Sequence, residues 1–224
     1  MRRGLLALGV FFMAFAAPVS AQSPAASVDK PADKRGDAEQ LGKALEYFTS
    51  GKYHESLLIL QELGKHYRLN PRYKAYLGVS AYYEWDYALA VKCLDEAIPL
   101  LSGFAPHERS FYYWADAESH FALEQYALAI PLYREMLGLC HANERGDAYY
   151  RLGFCYLFAE DWVNAWSALL QARDCYGRYP GTSAKARIVQ TENMLKGLSS
   201  RVAGVLAERV TSYWHRQSRR ATSP

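Results

Sequence analysis

A pattern of small residues and one large ring recurs four times along the chain, at nearly constant intervals. The rings are Tyr53, Tyr87, Tyr126 and Trp162, separated by 34, 39 and 36 residues. A small residue precedes each ring (Ala44, Gly78, Ala117, Gly153) and another follows it (Ser56, Ala90, Ala129, Ala165). Apolar residues at helical spacing come next in each copy, such as Leu60 and Leu63 in the first. The pattern predicts successive helical hairpins that bury their apolar faces only against their neighbours.

With these residues, the segment 37–181 resembles the tetratricopeptide repeat family, whose unit of about 34 residues is a helix–turn–helix. The resemblance implies an all-α fold: a right-handed α-solenoid of four repeats, followed by a long C-terminal capping helix. The small residues would let two helices approach closely, and the ring would fill the corner of each hairpin. Ala81 and His120 stand where the family usually has Tyr, so these layers are expected to be looser or to bury a polar ring.

The first 21 residues have the three-part pattern of a secretory signal peptide. Two arginines precede an apolar run that ends at Ala17, and small residues lead to a predicted cleavage after Ala21. The run is shorter than the roughly 20 residues that span a bilayer, which favours a cleaved signal over a retained anchor. Residues 22–36 are rich in Pro, Ala, Ser and charge and predict a flexible linker.

These N-terminal features predict an exported protein of the bacterial periplasm or outer surface that does not span the membrane after cleavage. The chain contains no Asn-x-Ser/Thr triplet, so nothing supports a glycosylated eukaryotic exterior.

Beyond the break at Pro180 and Gly181, residues 182–216 predict an amphipathic helix with an N-cap at Thr182 or Ser183. Its apolar stripe comprises Ile188, Leu195, Leu198, Val202, Val205, Leu206, Val210 and Tyr213. We expect this helix to cap the repeat array, and residues 217–224 to form a basic tail. Self-association into a homo-oligomer, or partial entry of the helix into the array's own groove, are the alternatives.

By resemblance to the family, the first helices of the repeats line a concave groove. The residues expected to face it are Leu41, Leu45, Phe48, Arg72, Tyr82, Tyr83, Phe111, Trp114, Glu118, Phe121, Tyr150, Phe154 and Phe158. This aromatic surface predicts binding of an apolar or aromatic-bearing segment of another envelope protein, oriented by Tyr hydroxyls and Glu118. The alternative is that neighbouring repeats or the terminal helix bury the same rings. Family members that grip a C-terminal carboxylate use Lys, Arg and Asn there; here Arg72 alone is basic, so no such clamp is expected.

Composition and motifs argue against other functions. The net charge of +3 is too small for the concentrated basic face that nucleic acid requires. The chain contains no His-Glu-x-x-His, Gly-x-Ser-x-Gly or phosphate-cradling Gly-rich motif, so we expect neither an enzyme nor a cofactor. Asp116, Glu118 and His120 alternate along one helix and are expected to point to different sides, which predicts no metal site.

The sequence therefore predicts a non-enzymatic scaffold or adaptor of the cell envelope. Two alternatives stay open: an accessory of an envelope transporter that holds a small hydrophobic ligand, and a structural oligomer assembled through the C-terminal helix.

The four cysteines, Cys93, Cys140, Cys155 and Cys175, lack paired metal-ligand spacing. Export permits disulfides, and four cysteines allow three full pairings. We expect Cys93 and Cys155 to fill the core. If a bridge forms, Cys140–Cys175 is favoured because both residues end the second helices of adjacent repeats.

Overall fold

The computed structural model describes residues 34–181 and 184–221, and this part of the chain is helical without a strand. Its α-helices are α1 (Lys34–Thr49), α2 (Tyr53–His66), α3 (Pro71–Tyr83), α4 (Tyr87–Ala97), α5 (Pro106–Ala122), α6 (Tyr126–Leu139), α7 (Arg145–Phe158), α8 (Trp162–Arg178) and α9 (Ala184–Ala221), with a 3-10 helix, Ile98–Leu100, after α4. None of these helices has the length and apolar character needed to cross a membrane. The predicted signal peptide, residues 22–33 of the linker and the predicted N-cap lie outside the described residues.

The helices pack in chain order, each against the next, from α1 on α2 to α8 on α9. Four hairpins result, each containing one copy of the repeat. The first helices of the second and third hairpins, α3 and α5, also contact each other. The long helix α9 packs on α8, where a fifth repeat would begin. The predicted fold class, an all-α solenoid of four hairpin repeats with a C-terminal capping helix, is confirmed.

Two predicted boundaries differ from the structure. Helix α1 begins at Lys34, so the last three residues of the predicted linker are helical. Helix α9 continues to Ala221 rather than ending at residue 216, so it includes most of the predicted basic tail. Residues 217–221 include Gln, two Arg and Ala, which are good helix formers, and no proline interrupts them, so the helix extends beyond its apolar stripe.

The close approach of the two helices of a hairpin depends on the small residues. An ideal Cβ on Gly78 would lie 2.6 Å from Leu94 Cγ, and one on Gly153 would lie 2.7 Å from Leu169 Cδ2. The Ala and Ser residues at the equivalent positions of the other copies are all fully buried. The second helix therefore packs directly on the backbone of the first, as predicted.

The turn of each hairpin has the same backbone conformation, which the sequence pattern did not reveal. Gly51, Trp85, Glu124 and Glu160 all have positive φ, between 56° and 72°, and each lies two residues before a corner ring. The next N–H donates to a carbonyl five residues back, as from Asp161 to Tyr156 at 2.9 Å, which ends the first helix in a Schellman motif. Glycine is usual in this conformation because another residue there costs about 1–2 kcal/mol. Three of the four turns nevertheless have Trp or Glu at this position, so the sequence lacks the glycine that would have indicated them.

Three corner rings contact the helix that follows their own hairpin, whereas Tyr87 meets Tyr82 of its own hairpin, with centroids 6.2 Å apart. Tyr53 stacks on Tyr83, the last residue of α3, with ring centroids 4.0 Å apart and planes nearly parallel. Tyr126 stacks in the same way on Phe158, the last residue of α7, at 4.5 Å. In the last repeat the guanidinium carbon of Arg201, on α9, lies 4.6 Å from the Trp162 ring. Helix α9 therefore contributes the contact that the next repeat would have made.

Replacing Gly153 by Ala should lower the free energy of unfolding by about 1–3 kcal/mol, because the added methyl group overlaps Leu169. Gly197→Ala, inside α9, is the matched control, since a Cβ there meets nothing within 4 Å. The control should gain about 0.5–1 kcal/mol from lower chain entropy. Urea unfolding followed by circular dichroism measures both; equal effects of the two variants would contradict the close-approach explanation.

Candidate functional site

The first helices carry a cleft of about 640 Å³ that contains part of the predicted groove. Its lining residues are Tyr83, His107, Glu108, Ser110, Phe111, Trp114, Met136, Asn143, Glu144 and Asp147. Tyr83, Phe111 and Trp114 are predicted groove residues, and the structure brings them together from α3 and α5. The cleft thus has aromatic walls and three carboxylates among its lining residues.

The exposure of the predicted groove rings varies. Tyr83 and Phe158 are the most open, at 40% and 53%. The half-buried members of the predicted set are Leu41, Leu45, Phe48, Tyr82, Phe111, Trp114, Phe121 and Phe154. Some of these half-buried rings also pack on the exposed ones, as Phe154 does on Phe158 with centroids 6.2 Å apart. The rings therefore serve both as walls between repeats and as exposed surface.

Tyr150 does not belong to the exposed groove, contrary to the sequence prediction. Its side chain is buried, and the guanidinium carbon of Arg187 lies 4.6 Å from its ring centroid. Arg187 belongs to α9, so the beginning of the terminal helix covers this end of the array. The alternative of burial by the terminal helix therefore holds for Tyr150, whereas Tyr83 and Phe158 are exposed.

Glu118 is also buried, and it is not free to orient a partner as predicted. The Tyr133 hydroxyl donates to its Oε1 at 2.5 Å, and Arg151 Nη2 donates to its Oε2 at 2.8 Å. Burial raises the pKa of Glu118, and Arg151 opposes this shift. The guanidinium carbon of Arg151 also lies 4.9 Å from the Phe121 ring centroid. This network joins α5, α6 and α7, so Glu118 holds the third repeat to the fourth.

Arg72, the one basic residue predicted for the groove, is engaged within the chain. Its Nε and Nη2 donate to the two carboxylate oxygens of Glu108, at 2.8 and 3.2 Å. Glu108 also accepts a hydrogen bond from the Tyr112 hydroxyl at 2.7 Å. Sequence reasoning missed the partners Glu108 and Arg151, although each lies about one repeat length from the residue it pairs with (36 and 33 positions).

Asp116 and His120 converge, and the prediction that they diverge is wrong for this pair. Four residues apart on α5, they share one helix face, with His120 Nε2 3.7 Å from Asp116 Oδ1. The same Nε2 lies 3.6 Å from Oδ1 of Asp95 on α4. Burial, and then the nearby Asp95 carboxylate, raises the pKa of Asp116 to about 8. Of the two expectations for this position, a looser layer or a buried polar ring, the structure shows His120 as a buried ring.

All four cysteines are free thiols in the structure. Cys93 and Cys155 are buried in the core, as predicted. Cys140 and Cys175 are half-buried, and the suggested bridge between them is not formed. Burial raises the pKa of both thiols, whereas Arg145, at the start of α7, lowers it in each case. Arg145 thus acts electrostatically on both thiols from the helix between α6 and α8.

No family model matches the chain, and no curated protein matches its sequence. Solved structures do resemble it. MamA 41-end from Desulfovibrio magneticus RS-1 has a TM-score of 0.54 at 20% identity, covering 86% of this chain and 99% of its own. The MamA RS-1 ArsTM double mutant scores 0.56 at 20% identity (80% and 97%), and MamA AMB-1 in a P212121 crystal scores 0.57 at 13% (76% and 87%). At such low identity the likeness concerns the fold alone, and it supports a tetratricopeptide-type helical solenoid.

Removing the Arg151 guanidinium should leave one buried oxygen of Glu118 without its donor. We expect Arg151→Met to lower the free energy of unfolding by about 1–3 kcal/mol. Arg173→Met, at an exposed position of α8, is the control and should change it little. The double variant Glu118→Gln with Arg151→Met should lose less than the sum of the two single changes. Additive losses in urea unfolding would show that the two side chains are not coupled.

Proposed function

We propose that this chain, a tetratricopeptide-type solenoid, is a non-enzymatic scaffold that binds an apolar or aromatic-bearing segment of another protein along its first helices. The observation that carries this proposal is the cleft with walls formed by Tyr83, Phe111 and Trp114. The exposed ring of Phe158 lies on the first helix of the following repeat. Large rings that are partly exposed in a cleft are the residue type that most often dominates binding energy at protein interfaces.

The charges around this cleft favour ring burial over ion pairing as the source of affinity. Glu108 is held by Arg72, and Asp147 accepts a hydrogen bond from the Tyr176 hydroxyl at 2.7 Å. Glu144 accepts from the backbone N–H of His141 at 2.9 Å. Because each carboxylate already has a partner within the chain, a ligand gains mainly by removing aromatic surface from water, at about 25 cal/mol per Å².

The N-terminal sequence supports a place for this scaffold in the bacterial cell envelope. The cationic start, the apolar run and the small residues before Gln22 fit an export signal, and the partner would then be another envelope protein. The absence of sequence motifs for catalysis supports a binding role without turnover.

The test is capture of the partner by crosslinking in the native envelope, followed by affinity measurement with purified variants. The double variant Tyr83→Ala with Phe111→Ala should bind at least about tenfold more weakly, because it removes two walls of the cleft. Trp85→Ala is the matched control: Trp85 is 79% exposed and close in sequence to Tyr83, but it does not line this cleft. Circular dichroism confirms that each variant is folded.

Unchanged binding by the double variant would refute the cleft as the binding site. Raising the salt from about 0.05 to 0.5 M should change the affinity little, since the contact is apolar. Strong weakening by salt would instead indicate ion pairing. Native mass spectrometry of chain purified from its host distinguishes a protein partner from a small hydrophobic ligand, which would appear as added mass.

Self-association through α9 is a second candidate, favoured by the exposed end of its apolar stripe. Leu195, Leu198 and Val202 are buried against the repeats. Farther along the helix, Leu206 and Val210 are 46% and 57% exposed. The stripe thus continues past the surface that it covers, and a second copy of this helix would bury the remainder.

The double variant Leu206→Lys with Val210→Lys should shift a homo-oligomer to monomer in multi-angle light scattering, because two charges would enter the apolar contact. Val189→Lys is the control, at a 51% exposed position nearer the start of the same helix. Truncation at residue 182 is a poorer test, since it would uncover the core that α9 buries. A monomeric wild-type chain over the accessible concentration range would refute self-association.

A further inference from the structure

Three side chains that could hold a metal ion converge where the second repeat meets the third. They are Asp95 on α4 and Asp116 and His120 on α5, and one ligand atom from each lies within 4.8 Å of the other two. Asp116 and His120 are buried, whereas the Asp95 side chain is 55% exposed. The cluster therefore has two buried ligands and one that faces solvent.

Asp116 is the least satisfied member of the cluster. Both of its carboxylate oxygens are buried, and neither accepts a hydrogen bond within the described part of the chain. In that part of the chain, His120 is also the one side chain able to carry positive charge within 4.0 Å of Asp116 or Asp95. A buried carboxylate without donors is unfavourable, and such groups usually have a charged partner or coordinate a metal.

The hydrogen bond made by His120 also supports metal binding at this cluster. Its Nδ1 lies 2.7 Å from Oε1 of Gln125, an oxygen that can only accept, so Nδ1 carries the proton. Nε2 then presents its lone pair towards the two carboxylates. A histidine that ligates a metal almost always donates its other ring N–H in this way.

The distances fit a bound ion better than direct hydrogen bonds. Nε2 is 3.6 Å from Asp95 Oδ1 and 3.7 Å from Asp116 Oδ1, beyond hydrogen-bond range. Ligand bonds of about 2.0–2.2 Å in a tetrahedral site place neighbouring ligand atoms roughly 3.3–3.6 Å apart. The two distances from Nε2 are therefore within a few tenths of an ångström of this spacing. The two carboxylates offer oxygens within 4.8 Å of each other, and the exposed Asp95 side chain is the one free to move and close the site.

We propose that Asp95, Asp116 and His120 bind a divalent transition-metal ion, with Gln125 orienting the imidazole. One nitrogen and two carboxylate ligands suit Zn²⁺, and a fourth position is left for water or another ligand. A bound ion would link α4 directly to α5, two helices that the chain connects through the 3-10 helix. It also lies where the two hydrophobic clusters of the solenoid meet, the first ending at Ala115 and the second beginning at Ala117.

Titration of untagged, EDTA-treated chain with Zn²⁺ in a calorimeter tests this proposal. Wild-type chain should bind one equivalent, and its thermal midpoint should rise. Asp95→Asn, at the exposed ligand, should abolish the rise and lower the affinity by more than the 10–100-fold expected for losing an outer partner. Asp174→Asn is the matched control, an exposed aspartate paired with Arg178, and should behave as wild type.

Gln125→Ala provides a second variant that leaves all three ligands in place. Its side chain caps no backbone N–H of α6, so the helix should be unaffected, and the affinity should fall about 10–100-fold. Co²⁺ provides the spectroscopic check, because the absence of a thiolate charge-transfer band excludes ligation by the free cysteines. The proposal is wrong if wild type shows no saturable binding, if Asp95→Asn binds as wild type does, or if a thiolate band appears.

Discussion

The contact on which the rest of the structure depends is that between the second helix of each hairpin and the backbone of the first. At Gly78 and Gly153 the side chains of Leu94 and Leu169 occupy the space that a Cβ would need. This short separation leaves a corner at the hairpin turn, which one ring fills. In the first and third repeats this ring stacks on the end of the next first helix, as Tyr53 does on Tyr83. A local constraint thus propagates along the array until α9 ends it.

Polar side chains hold successive repeats in register where the apolar contacts alone would allow sliding. Arg72 pairs with Glu108, and Arg151 pairs with Glu118, in each case joining equivalent helices of neighbouring repeats. Directional hydrogen bonds specify one arrangement, whereas the hydrophobic effect itself has no preferred direction. The buried carboxylate of Asp116, between the two hydrophobic clusters, is the exception, since its oxygens accept no hydrogen bond within the described residues.

The aromatic residues of the first helices have two roles that compete for the same surface. Rings such as Tyr150 are covered by the chain itself, while Tyr83 and Phe158 are exposed. The same stacking that joins the repeats also determines how much of each ring is left for a partner. A change that loosens the array would therefore alter the proposed binding surface as well as stability.

The sequence by itself determined the hairpins, their number and their order, because small residues and rings act locally and at a fixed spacing. It also indicated a buried polar ring as one of two expectations for His120, the other being a looser layer, and burial is what the structure shows. It did not reveal the left-handed turn residues, since Trp85, Glu124 and Glu160 carry no glycine signal.

Tertiary structure alone decided which groove residues are exposed. Glu118 and Tyr150 look available on their helices, but Arg151 and Arg187 reach them from other elements. Only the stacking of α4 on α5 brings Asp95 to Asp116 and His120. Helical periodicity fixes the face on which a side chain lies, whereas its neighbours depend on packing between helices that are distant along the chain.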